Sequence, residues 1–476
     1  LMLLGAMLIA PFLFAVFFRE AGCAMPFLLT AATSTFLGAV LYFFRKKDSP
    51  STAQAMVICA LSWTLLSIAG AVPIVVILDV PWIDGIFESA CGFTTTGITM
   101  FTGLDTMPRT VLLWRSITQW IGGLGILTFF MAVASQMPGA HRLINAESNK
   151  IFSGRPVPGL FNTVKILWKI YISFTAALTI AYFLAGMGVF DAVNHGLTTI
   201  STGGFSPHDM SMSWFEASGT GNSILIEYIA IIGMLSGSIS FLVHYRVFRG
   251  DGIRALWKGS EIRLWWLLLF VFLLAVMGEQ FMAGSVSPGN LEQTFRKDLF
   301  QVTAIFTTAG YATEELTSPF FGPAARQLFL LMMVIGGCVG STSSGLKVLR
   351  ISILLSIAKE EVNKLFRADR AISGTRFEKR LISRDELSRI AGIVFMWFCL
   401  LFIGGTVAAL LAPEIGEYAA FSGMFSTLSN VGPCFISQQQ LMNLHWGVKI
   451  VYIIGMLAGR LEFLPVMLLF SGKAWR

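Results

Sequence analysis

Residues 83–97 read Ile-Asp-Gly-Ile-Phe-Glu-Ser-Ala-Cys-Gly-Phe-Thr-Thr-Thr-Gly, a short apolar stretch that runs directly into three threonines and a glycine. A helix that crosses a bilayer needs roughly 20 apolar residues, so the stretch Ile83 to Phe93 suits a re-entrant helix rather than a span. The pattern recurs. Thr94-Thr95-Thr96-Gly97 is followed along the chain by Ser201-Thr202-Gly203-Gly204, Thr307-Thr308-Ala309-Gly310 and Ser429-Asn430-Val431-Gly432, the last after Tyr418 to Leu428. Their final glycines are 107, 106 and 122 residues apart. Downstream of each lies an apolar helix marked by glycine, at Gly122-Gly123, Gly233, Gly336-Gly337 and Gly455, with offsets of 25, 29, 26 and 23 residues.

Such a period implies a repeated architecture. The unit is helix, re-entrant short helix, extended loop, helix, repeated four times around one pore behind an extra N-terminal helix hairpin. The predicted fold is therefore an all-α polytopic membrane protein. Its divisions are a hairpin over 1–48, repeats over 49–140, 160–250, 260–358 and 390–476, and a cytoplasmic linker over 359–389.

Composition agrees with a membrane solvent. Of 476 residues, 55% are hydrophobic and 13% charged, against about 25% charged in soluble domains, and the mean hydropathy is +0.72. Stretches long enough to span recur at Leu1 to Phe18, Met25 to Phe44, Ile166 to Met187, Leu264 to Phe281 and Ile390 to Leu411. The formal charge of +7 is a matter of placement rather than of a nucleic-acid partner. Twenty-six of the 34 Lys and Arg fall in five segments, Arg45 to Lys47, Arg142 to Lys169, Arg246 to Arg263, Lys347 to Arg389 and Lys473 to Arg476. With these on the cytoplasmic side, both termini face the cytoplasm and the repeats share one orientation. Residues 1–18 lack the basic start and small-residue cleavage site of a signal peptide and read as a retained helix, and the initial Leu implies a native start upstream. The six cysteines, scattered at positions 23, 59, 91, 338, 399 and 434, read as packing residues.

Non-helical backbone at membrane depth is tolerated where protein buries it or where it lines a wet cavity. Four loops around an axis satisfy this jointly: their carbonyls replace the hydration shell of a cation, glycine permits the required backbone, and hydroxyls add ligands. The C-terminal ends of the short helices add partial negative charge. Divalent ions prefer carboxylates, and the four runs contain none, so a monovalent cation fits. A single run also reads as a small-residue helix contact; four in register favour the filter.

The runs and their spacing resemble the Trk, Ktr and HKT superfamily of potassium transporters over essentially the whole chain, and the N-terminal hairpin and length make it most similar to the bacterial TrkH type. The resemblance implies potassium uptake through a channel-like pore in the bacterial inner membrane, with Gly97, Gly204, Gly310 and Gly432 as the filter glycines. The fourth run, with Val431 and Pro433 beside its glycine, departs most.

Two gate candidates lie beyond the runs. Arg460 falls in the last apolar helix, where a charge costs about 2.5 to 3.5 kcal/mol at the bilayer centre. It reads either as a structural ion pair, with Glu462 two residues on, or as a pore-facing charge, as the resemblance implies. A potassium ion about 8 Å away would be repelled by about 0.5 kcal/mol in water and about 2 at an effective dielectric of 20, which slows permeation without sealing it. Residues 336–345, Gly336-Gly337-Cys338-Val339-Gly340-Ser341-Thr342-Ser343-Ser344-Gly345, interrupt the second helix of repeat three. They read equally as a packing groove or as a mobile segment, and the resemblance implies an intramembrane gate.

Other classes fit less well. The five histidines are dispersed and no nucleotide, zinc or serine-hydrolase motif occurs, so the chain is not read as an enzyme, and it carries no cofactor. Glu88, His195 and Gln301, each nine residues before a filter glycine, read as polar anchors of the short helices. A carrier for larger solutes would favour inverted repeats, whereas sodium- or proton-coupled symport through the same loops stays open. The resemblance further implies a homodimer and a cytoplasmic, nucleotide-binding TrkA-like ring, for which the basic insert Lys359 to Arg389 is a docking surface or simply a solvated face.

Overall fold

The computed structural model describes residues 1–44, 51–135, 160–366, 376–377 and 380–475. The basic segment Arg45 to Lys47, the stretch from Arg142 to Arg155 and much of the 359–389 insert lie outside the described residues. Helices dominate; the described strands are Arg376–Phe377 and Arg380–Leu381, paired antiparallel within the insert.

α1 (Met2–Phe17) and α2 (Ala21–Phe43) form the N-terminal hairpin. Their axes approach closely because Gly5 faces Thr35, where a Cβ would come within 2.0 Å of the hydroxyl. Their outer faces carry exposed Leu3, Phe17, Phe36 and Phe43, as a lipid boundary requires. Repeat one follows as α3 (Thr52–Leu78), started by a Ser51–Gln54 capping box, then the short α4 (Trp82–Phe93) and α5 (Arg109–Ser135). Repeat two is α6 (Leu160–Leu184), the short α7 (Val189–Ile200) and α8 (Ser223–Ser238). Repeat three is α9 (Ser260–Met282), the short α10 (Leu291–Phe306), α11 (Pro323–Val334) and α12 (Val348–Lys364). Repeat four is α13 (Arg384–Leu411), the short α14 (Glu417–Ser429) and α15 (Trp446–Arg460). Among the described residues, five helices are long and apolar enough to cross a membrane, and six if a pair bent by 98° counts as one span.

The second helices of repeats two and four differ from the uninterrupted spans expected from sequence, and that of repeat three breaks at the 336–345 segment that sequence reads as an interruption. α8 stops at Ser238, and the chain bends by 98° before Phe241. α11 stops at Val334 and helix resumes at Val348. α15 ends at Arg460, with Leu461 as its C-cap and Glu462 and Phe463 following at φ 60° and 69°, so Arg460 is the last residue of the helix rather than lying in its middle. The first two breaks solve each other's hydrogen-bonding problem. Phe241 N donates to Gly340 O (2.9 Å), Cys338 N to Ser238 O (3.1 Å) and Thr342 N to Gly237 O (3.1 Å). Buried backbone polar groups need partners, and each broken helix supplies the other's. At the linker, α12 runs on to Lys364 and α13 begins at Arg384, so helix intrudes on both ends of the 359–389 segment.

Charged pairs tie neighbouring repeats. Lys449 of α15 reaches Asp84 of α4 at 2.5 Å, and Arg296 of α10 pairs with the buried Glu227 of α8. Outside the helices, Asp209 accepts from Gly103 N and Leu104 N at 2.9 and 3.2 Å. The described cysteines are free thiols, four of them fully buried.

Candidate permeation site

Each short helix ends in the same turn. The second residue of every run, Thr95, Thr202, Thr308 and Asn430, is left-handed, with φ of 53°, 51°, 57° and 53°. The next N–H returns to a carbonyl five residues back, Thr96 to Cys91, Gly203 to Thr198, Ala309 to Ala304 and Val431 to Ser426, at 2.9 to 3.0 Å. This is the Schellman arrangement, usually built on Gly or Asn. Asn430 fits that preference, whereas a threonine in this region costs about 1–3 kcal/mol, held three times by the surrounding packing. The turn reverses the chain under the helix terminus and sends the rest of the run outward.

The fourth residue of every run is a glycine with positive φ, 83°, 80°, 76° and 109° for Gly97, Gly204, Gly310 and Gly432. A Cβ on Gly97 would lie 2.3 Å from Gly203 O, on Gly204 2.2 Å from Ala309 O, on Gly310 1.9 Å from Val431 O, and on Gly432 2.7 Å from Thr96 O. Each glycine therefore abuts the third carbonyl of the next run, and the four contacts close into a ring. Apart from those of Ser201 and Gly203, no main-chain oxygen of the runs accepts a hydrogen bond among the described residues. So many buried, undonated carbonyls converging on one locus are rare in proteins and suit a desolvated cation. The fourth run keeps the shared backbone, but Asn430 Nδ2 is spent on Thr96 Oγ1 and Met456 O, both at 2.9 Å.

The expected anchors behave unequally. Glu88 accepts from Thr99 Oγ1 (3.0 Å), Met100 N (2.9 Å) and Arg115 Nε (2.7 Å), bracing the outgoing strand of run one. His195 reaches Ser206 Oγ at 3.2 Å. Gln301 does not act as an anchor: neither of its amide atoms has a partner among the described residues. In repeat four the role passes to Ser422, whose hydroxyl accepts from Phe435 N at 2.8 Å.

Outside the ring the four glycines floor a cavity of about 210 Å³, walled by His208, Asp209, Glu314 and Gln438 among others. His208 stacks on Trp214 (3.7 Å between centroids) and meets Asp105 at 2.5 Å and Asp191 at 3.4 Å. Burial alone would lower its pKa, but Asp191 and Asp105 outweigh that and hold it above the usual 6.5.

Inside the ring lies the 336–345 loop, all of it non-helical. Its ends are pinched together by Gly336 N to Leu346 O (2.8 Å) and Leu346 N to Val334 O (3.1 Å). Its tip touches two runs: Thr308 Oγ1 lies 3.1 Å from Ser343 Oγ and accepts from Ser344 N at 2.9 Å, and Thr342 Oγ1 lies 3.4 Å from Thr202 Oγ1 and donates to Ile200 O, just before the second run, at 3.0 Å. Arg460 holds the loop from the opposite side. Nη1 donates to Thr342 O and Ser344 Oγ, both at 2.8 Å, and Nη2 to Gly122 O and Gly123 O at 2.5 and 3.0 Å. The pair with Glu462 weighed from sequence is not the one formed, since Glu462 meets Arg350 at 2.5 Å. Sequence reading missed the bend after Ser238 and the bracing side chains Arg115 and Gln119. The signals were a Ser-Ile-Ser at 238–240 and two polar residues one turn apart in an apolar helix.

A polytopic helical protein with four re-entrant loops closed around one axis is a membrane transport architecture. The chain belongs to the TrkH family of cation transport proteins, whose model matches residues 24–476, and it is accordingly a transporter rather than an enzyme. It is 34% identical to the Trk system potassium uptake protein TrkH of Vibrio parahaemolyticus and 31% identical to that of Escherichia coli K12, in both cases across the whole chain and 97% of the relative. The crystal structure of the potassium transporter TrkH from Vibrio parahaemolyticus superposes with a TM-score of 0.87 at 30% identity, covering 100% of this chain and 97% of that one.

Proposed function

We propose that the chain takes up potassium through a channel-like pore in the bacterial inner membrane, with the four runs as its selectivity filter and the 336–345 loop with Arg460 as its gate. The observation that carries this reading is the closed ring of glycine-to-carbonyl contacts, with undonated oxygens from all four runs. Neutral oxygens in that number replace the hydration of a large monovalent cation without the carboxylates that a divalent ion prefers. Membrane potential supplies about 2.3 kcal/mol per charge per 100 mV, enough to drive uptake without a coupled ion.

The loop blocks the inner mouth of the filter at rest. Its hold is distributed over Thr342, Ser343, Ser344 and Arg460, and a pull on α11, α12 or the bent α8 would release it. The chain supplies no nucleotide site by motif, so control falls to a cytoplasmic TrkA-like ring docking on the basic side, with the pore subunit as a homodimer.

Single-channel recording of purified protein in planar bilayers, with potassium on one side and sodium on the other, tests the reading. The expected result is a reversal potential near that of potassium and unitary currents; a sodium-dependent flux without unitary currents would point to symport instead. Deleting residues 339–343 should raise potassium flux, and unchanged flux in a folded deletion would remove the loop as gate.

A further inference from the structure

Resting on the conduction reading, we propose that Gln119, outside all four runs, is a positioning residue that sets cation selectivity by holding the second run in place. Gln119 is buried in α5, one turn before Gly122. Its amide spans the second run: Nε2 donates to Gly203 O at 2.6 Å and Oε1 accepts from Phe205 N at 3.0 Å. The third-residue oxygen of each run is the one that abuts the glycine of the preceding run, Gly203 O facing Gly97. In three runs that oxygen, on Thr96, Ala309 or Val431, has no protein donor among the described residues; in the second it meets Gln119. A carbonyl already engaged by an N–H offers a weaker field to an ion and moves less, so this layer of the ring is unequal by construction.

The fit is reciprocal. Gly203 is a glycine where the other runs carry Thr, Ala and Val, and its φ is not positive. Backbone conformation therefore does not demand it. Space does: a Cβ on Gly203 would lie 2.3 Å from Gln119 Oε1 and 2.4 Å from its Cδ. Among the described residues the bracket has no counterpart at the other three runs. The residues three before the other helix glycines are Ala230, Met333 and Tyr452, and Tyr452 bonds Ala420 O at 2.9 Å rather than a filter run. Arg115, four residues before Gln119 and so on the same helix face, extends the grip outward. It donates to Ser206 O at 3.2 Å and lies 4.2 Å from the Phe205 ring centroid, while Glu88 anchors it at 2.7 Å. Discrimination between potassium and sodium depends on how far the oxygen cage closes on the smaller ion and on the strength of its dipoles. Gln119 acts on both at one carbonyl.

The test is the potassium-to-sodium permeability ratio, from reversal potentials, of wild type, Gln119→Leu and Gln119→Glu. Gln119→Leu removes both hydrogen bonds, and the ratio should fall about tenfold, the factor of roughly one lost buried hydrogen bond. Gln119→Glu keeps the acceptor for Phe205 N, but as a carboxylate it has no proton for Gly203 O. Burial raises such a carboxyl above its ordinary value of about 4.3, to as much as about 9, so its ratio should fall as pH rises from about 5 to about 10 and recover on the acid side, where the protonated carboxyl donates again. A ratio equal to wild type in Gln119→Glu across that whole pH range overturns the proposal, as does reduced flux at an unchanged ratio, which marks a merely structural role. Should Gln119→Leu fail to fold, Gln119→Glu alone decides. A wild type that is unselective counts against the conduction reading itself, not against the bracket.

Discussion

The four glycines of the ring do not share one steric load. Positive φ costs an alanine about 1–2 kcal/mol before any clash, and the clash distances run from 1.9 Å at Gly310 to 2.7 Å at Gly432. Alanine substitutions should therefore reduce rubidium uptake in the order G310A, then G204A and G97A, then G432A, with G310A down at least about tenfold; a reversed order would disconnect flux from the ring. Arg460 is the second case at this scale. Its four donated bonds fix the loop to repeat one as well as adding charge beneath the filter. R460A removes both effects, whereas R460Q removes the charge and keeps two donors. Potassium flux should rise severalfold in R460A and less in R460Q; equal rises would assign the whole effect to charge.

At the scale of elements, the loop and the bend in α8 are a single device, because each supplies the hydrogen-bond partners that the other's broken helix lacks. Thr342 sits at the joint, with its hydroxyl 3.0 Å from both Ile200 O and Gly237 O. T342V conserves shape and leaves Ile200 O without its hydroxyl donor, while Gly237 O keeps the residue 342 N–H, a loss of about 1 kcal/mol. Resting flux should rise in the intact protein, measured as rubidium leak from vesicles. On the cavity side of the ring, His208 joins Asp105 in the loop of repeat one to Asp191 in the short helix of repeat two. Its pKa is higher in the fold than its ordinary value. The stabilisation is therefore complete below about pH 6.5 and is lost as pH rises through the folded value. Thermal stability of the wild type should decline across that window, and H208N should flatten the decline.

Across the whole molecule, the repeats are tied through buried charges as well as through the ring. Arg296 and Glu227 join repeats three and two with both side chains buried. Removing one partner of such a pair costs about 3–5 kcal/mol, whereas replacing both by apolar groups is often neutral. R296A should lower the midpoint of thermal aggregation in detergent sharply, and an R296M/E227M double variant should recover most of it.

How far the amino-acid order reaches follows from these scales. Membrane residence, helical class, fourfold repetition and the position of all four runs were legible because each depends on local quantities: apolar length against bilayer thickness, residue type against permitted φ, and a period in the chain. The register even located the loop at 336–345 and Arg460 as departures from helix and from neutrality. What stayed hidden depends on which distant atoms meet. The Ser-Ile-Ser at 238–240 marks a weak point in the helix but does not say that it will turn by 98°, because the groups that make the turn tolerable come from a loop about a hundred residues later. Nothing beside Glu462 says that its partner is Arg350 rather than Arg460. The sequence shows three runs with a side chain in the third position and one with glycine. Only packing reveals that the glycine makes room for Gln119, so that four nearly alike segments enclose one ring with one carbonyl already held.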